Sequence, residues 1–69
     1  MIFVFKTSVK SKVQIRKLKP FIEQSLPRAK WNFDLQDRDN ILRIDHESDV
    51  SETVKSLLHS LDFTCEELE

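Results

Sequence analysis

The stretch KWNFDLQ, residues 30–36, alternates strictly between apolar and polar side chains. Trp31, Phe33 and Leu35 fall on one side, Asn32, Asp34 and Gln36 on the other. That period of two marks a half-buried strand. DRDN, residues 37–40, reads as a turn. The return run ILRID puts Leu42 and Ile44 on the inner side and Ile41, Arg43 and Asp45 on the outer side. The two runs together predict a hairpin with one apolar face.

Each flank adds a strand and a helix. IFVFK, residues 2–6, is apolar on both faces, with Phe3 and Phe5 opposite Ile2 and Val4, which predicts a strand central to a sheet. Ile15, Leu18, Phe21, Ile22 and Leu26 then recur at three- and four-residue steps, the stripe of an amphipathic helix. Ser11 suits its N-cap. Pro20 opposes a helix that long, since an internal proline costs about 3 kcal/mol. The competing start is near Lys19, with Pro20 at the first helical position. Periodicity leaves both open. After the hairpin, Asp49 with Glu52 predicts a capping box, and Val50, Val54, Leu57, Leu58 and Leu61 give a second helical face. FTCE, residues 63–66, predicts a short last strand with Phe63 and Cys65 on one side.

The order is β-α-β-β-α-β, each helix crossing over to a parallel neighbour. Right-handed crossovers put both helices on one side. The predicted class is α+β, a ferredoxin-like βαββαβ sandwich with a four-stranded antiparallel sheet and two helices on one face. It forms a single domain over residues 1–69. The chain has no glycine, so its turns must use Asn, Asp, Ser or type I geometry.

Composition narrows the function classes. Hydrophobic residues at 39% beside charged residues at 33% exclude wholesale disorder. A single cysteine excludes an internal disulfide framework and an all-cysteine metal site within one chain. No apolar run approaches the roughly 20 residues that cross a bilayer, so no membrane partner is expected. MIFVFK is too short for the apolar region of a signal peptide, and a cytoplasmic protein is expected. The near-neutral charge hides a split. Residues 1–30 carry eight cations and one acid, Glu23, whereas residues 31–69 carry three cations and eleven acids. Such asymmetry bears on partners rather than on fold.

VFKTSVKSKVQIRKLKPFIEQ resembles the opening of heavy-metal-associated domains, in particular short stand-alone bacterial members. Phe5-Lys6-Thr7 and Pro20-Phe21 match their first strand and first helix. Trp31, Ile41-Leu42 and Leu61-Asp62-Phe63 match further on, so the resemblance covers essentially the whole chain. Asp62 stands where these domains usually carry glycine. The resemblance implies one first helix, residues 12–26, because the family tolerates a proline there. It also places Ser11 and Gln14 at the two positions where the family carries its Cys-x-x-Cys pair. Soft and borderline metal ions in such sites need thiolates. A hydroxyl and a carboxamide are weak substitutes, and Lys10, Lys12 and Arg16 would repel a cation. Metal transport is therefore not carried over to Ser11 and Gln14, and no cofactor is expected.

The same loop suits an anion, since a helix start offers free N–H groups and a positive dipole end. Lys10, Ser11, Lys12, Arg16 and Lys17 are the candidate partner- or anion-binding residues. The expected role is non-catalytic: an interaction module docking a protein partner with an acidic face. An alternative keeps copper or zinc binding through Cys65 with a histidine or across a dimer. Another is a homo-oligomer pairing through an edge strand. Alternation otherwise makes Cys65 a buried structural thiol. His46 reads as surface loop and His59 as the polar side of the second helix. No nucleophile motif is present, and no catalytic residue is expected. Nucleic acid is disfavoured: Phe3 and Phe5 turned outward could stack bases, but Asp34 and Asp45 on the same open face would repel phosphate.

Overall fold

The computed structural model describes residues 1–36 and 38–68. Its elements run β1 (Ile2–Thr7), α1 (Lys12–Ser25), β2 (Lys30–Asp34), β3 (Ile41–Asp45), α2 (Ser51–Ser60) and β4 (Cys65–Leu68). The strands form one sheet in the order β2-β3-β1-β4. Every neighbouring pair is antiparallel. This is the ferredoxin-like βαββαβ arrangement. The parallel strand reached by each crossover is one place removed rather than adjacent: β3 separates β1 from β2, and β1 separates β3 from β4.

Register fixes the faces. Phe3 pairs with Ile44 and Phe5 with Leu42, while Trp31 and Phe33 join the same two residues from β2. These side chains meet Leu18 and Ile22 of α1 and Val54 and Leu58 of α2 in one core, so both helices cover one face of the sheet. Phe3 and Phe5 are buried in that core. Their outward orientation is thereby corrected, and no aromatic side chain of the described residues lies on the open face. Ile41 does share the open face with Lys6 and Asp34, yet it is buried. The sequence pattern gave no reason to expect that.

α1 runs unbroken through Pro20. Pro20 is exposed, so its ring stays off the core, but its missing N–H leaves the Arg16 carbonyl without its helical partner. Phe21 belongs to the expected apolar stripe, yet it is 45% exposed. Leu18 and Ile22 point between the layers, and Phe21 lies to one side of them.

Turn chemistry sets the other boundaries. β2 ends at Asp34, because the Asp34 carboxylate accepts the Gln36 N–H at 3.1 Å and turns the chain. Leu35 therefore leaves the strand. Asp37 of the expected turn lies outside the described residues. Asn40 takes a positive φ of 49° and Asp62 one of 68°, the left-handed conformations that a glycine-free chain must give to Asn and Asp.

α2 closes with a Schellman motif. The Phe63 N–H bonds the Leu58 carbonyl at 2.9 Å and the Asp62 N–H bonds the His59 carbonyl at 3.1 Å. Phe63 is thus part of the helix stop, and the last strand begins at Cys65, two residues later than the alternation suggested. At the other end of α2 the expected box with Glu52 does not form. Asp49 accepts both the Ser51 N–H at 3.0 Å and the Ser51 hydroxyl at 2.6 Å, and Glu52 pairs with Lys55 at 3.1 Å.

Candidate functional site

The loop between β1 and α1 is tied down from two sides. Thr7 is buried. Its hydroxyl donates to the Asn40 carbonyl at 2.7 Å and accepts the Val9 N–H at 3.2 Å. The Thr7 N–H bonds the Asp39 carbonyl at 3.2 Å. On the other side the Ser8 N–H bonds the Thr64 carbonyl at 3.3 Å, and the Thr64 N–H bonds the Ser8 hydroxyl at 2.8 Å. The loop is therefore held between the β2–β3 turn and the start of β4, with Val9 fully buried beneath it.

Ser11 is the N-cap of α1. Its Oγ accepts the Gln14 N–H at 3.2 Å, and its carbonyl accepts the Ile15 N–H at 3.1 Å. Gln14 reciprocates: its Oε1 accepts the Lys10 N–H at 2.7 Å. The pair forms a variant of the capping box, the return bond reaching one residue further back than usual. The Ser-x-x-Gln spacing ahead of an apolar helical run was the available signal for it. Thr7 had no such signal, since its carbonyl partner is 33 residues away.

The side chains of Ser11 and Gln14 are thus both occupied with backbone groups. Around them Lys10, Lys12, Arg16 and Lys17 are exposed. None has an ion-pair partner among the described residues, whereas Lys19 reaches Glu23 at 4.0 Å. No acid lies in the first turn of α1. The local field is positive, from both the side chains and the helix dipole.

Cys65 opens β4 opposite Thr7 and is 7% exposed. Burial pushes its thiol up to about 11, away from the thiolate a metal or a redox partner needs. His46 lies in the segment after β3, where its Nδ1 takes the Ser48 N–H at 3.0 Å, and His59 is exposed on α2. No group of three or more His, Cys, Asp or Glu among the described residues is placed to hold a metal ion. No helix of the described residues is long and apolar enough to cross a membrane.

No protein-family model matches the sequence, and no curated relative does. A solved structure does resemble it: the solution structure of the N-terminal domain of ZntA in its Zn(II) form, a heavy-metal-associated domain. The match has a TM-score of 0.75 over 99% of this chain and 92% of that one, at 17% identity. The fold is the one that domain has. At that identity the likeness speaks for architecture, and the chemistry of the loop has to be read from this chain's own residues.

Proposed function

We propose that this chain is a non-catalytic domain of heavy-metal-associated type in which a helix cap has taken the place of the metal-binding pair. Its role is protein interaction through the basic loop and first helix. The observation that carries the reading is the reciprocal bonding of Ser11 and Gln14. A cation at Ser11 Oγ and Gln14 Oε1 would compete with the Gln14 and Lys10 N–H groups for the same two oxygens and weaken the cap at the helix start. Those oxygens are two neutral, weak ligands beside four lysines and arginines.

The unpaired cations support docking. Lys10 projects from a loop fixed by the Thr7 and Ser8 bonds, and Lys12, Arg16 and Lys17 project from the helix it leads into, so a partner meets a preorganised positive surface and little ordering cost is added on binding. A partner with an acidic face fits this surface, and the association would weaken with salt. Charge reversal of the four cations tests this. The expected result is loss of captured partners together with loss of their salt sensitivity. Unchanged capture and unchanged salt sensitivity would overturn the reading.

A further inference from the structure

β2 is an outer strand of the sheet, and two bonds fix which of its backbone groups are free. The His46 N–H bonds the Met1 carbonyl at 2.9 Å, and the Ser8 N–H bonds the Thr64 carbonyl at 3.3 Å. Bonded and non-bonded pairs alternate along an antiparallel ladder. Phe3–Ile44 and Phe5–Leu42 are therefore the bonded pairs of β1 and β3. Ile41, Arg43 and Asp45 turn their backbone groups the other way, to Asp34, Asn32 and Lys30 of β2. Trp31 and Phe33 are left with their N–H and C=O groups aimed out of the sheet.

Such an edge is a template for another strand unless it is protected. β2 has no proline and carries its charges, Lys30 and Asp34, at its two ends. Trp31 and Phe33, edge-to-face at 5.9 Å, are only half-buried. The order cation, aromatic, amide, aromatic, anion is complementary to its own reverse. Laid antiparallel on itself about Asn32, the strand sets Trp31 against Phe33 in a bonded pair, as the free backbone groups require. Lys30 then meets Asp34 in a non-bonded pair, where side chains come closest. Lys30 has no ion-pair partner among the described residues. Asp34 accepts the Gln36 N–H through Oδ1 and holds Arg43 at 3.8 Å through Oδ2, with its side chain still 39% exposed. The other outer strand lacks this match. In β4 the same alternation frees Cys65 and Glu67, and the reverse pairing would set Glu66 against its own copy.

We infer that β2 pairs with β2 of a second copy of this chain, joining two four-stranded sheets across a two-fold axis at Asn32. The inference is independent of the proposed docking role. Backbone bonds of Trp31 and Phe33 cross the seam, with an aromatic pair on either side of the axis and a Lys30–Asp34 pair at either end. Both helix layers then lie on the same side of the joined sheet. The cations of α1 oppose the pairing, since Lys12 stands beside Phe33 and Asp34 with Arg16 and Lys19 in the turns after it. Lys19 is held by Glu23, and the Lys12 side chains of the two copies sit at opposite ends of the seam. With five residues in each strand the interface is small, so the dimer is weak.

The test is sedimentation equilibrium of the full chain up to millimolar concentration, with amide exchange read at single residues. A monomer–dimer equilibrium is expected. Trp31 is the only tryptophan of the chain, and its emission should shift to the red on dilution. The Trp31 and Phe33 amides should gain protection as concentration rises, and those of Cys65 and Glu67 should not. Lys30→Glu, at an exposed position, should weaken the dimer roughly tenfold, as should Asp34→Lys. Mixing the two variants should restore it, because each end of the seam again joins opposite charges. A chain monomeric throughout, or a dimer whose protection falls on Cys65 and Glu67, would overturn the inference. So would a dimer insensitive to Lys30→Glu, or a mixture that stays monomeric while both variants keep the circular dichroism of the parent.

Discussion

Ser11 and Gln14 each bond a backbone N–H that the other's neighbourhood would otherwise leave open: Ser11 Oγ takes Gln14 N–H at 3.2 Å, and Gln14 Oε1 takes Lys10 N–H at 2.7 Å. Stability should register the pair. Ser11→Ala should lower the unfolding free energy by about 1 kcal/mol. Ser11→Asp should retain it, since a carboxylate caps equally well and sits at the positive end of the helix among lysines. Urea unfolding of the two variants beside the parent checks this.

Thr7→Val should cost about 1–3 kcal/mol although it preserves shape. The methyl group cannot replace the hydroxyl that serves both the Asn40 carbonyl and the Val9 N–H, and a buried group left without a partner keeps its desolvation penalty. The same denaturation experiment reads it. A loss of less than the Ser11→Ala effect would show that the loop is not held from this side.

Asp62→Gly should stabilise the chain by about 1 kcal/mol. Asp62 holds φ at 68°, a region that costs a residue with a Cβ but not glycine. The gain is partly offset because glycine has more freedom to lose on folding. A rise in the thermal midpoint of the variant checks the sign.

The pH dependence of stability should carry a signature of Cys65. Burial raises its thiol from an ordinary 9.0 to about 11. Between those values the folded state holds a proton that the unfolded chain has released. The contribution is therefore intact below pH 9.0 and is lost as pH rises towards 11. Unfolding midpoints measured across this window should fall more steeply for the parent than for Cys65→Ala. Equal slopes would mean the thiol is not shielded.

Much of this architecture is legible in the residues because it rests on periodicity. Trp31, Phe33, Leu42 and Ile44 declare the hairpin, and the stripe through Leu18 and Ile22 declares the helix that covers it. What periodicity misses is set by single hydrogen bonds. Phe63 alternates correctly with Cys65, yet its N–H belongs to the end of α2. Leu35 alternates with Phe33, yet the Asp34 carboxylate has already turned the chain. Glu52 sits three residues after Asp49, yet Lys55 holds it and Asp49 serves Ser51 instead. At the site the balance is similar. The basic loop and its cap were visible in Lys10, Ser11 and Lys12, and the Ser11-x-x-Gln14 spacing carried a signal for the return arm, although not for its reach to the Lys10 N–H. Phe21 and Leu61 share helical stripes with true core positions. Only packing shows that they remain in contact with water.

The central claim, that Ser11 and Gln14 are a helix cap and not a metal site, is tested most directly by titrating Zn(II) into the parent chain and into the Ser11→Cys, Gln14→Cys double variant. No stoichiometric complex with the parent is expected, whereas the double variant should bind one-to-one, its two thiols sitting at a helix start that favours their thiolate form. A stoichiometric complex of the parent that is lost on Ser11→Ala or Gln14→Ala would contradict it.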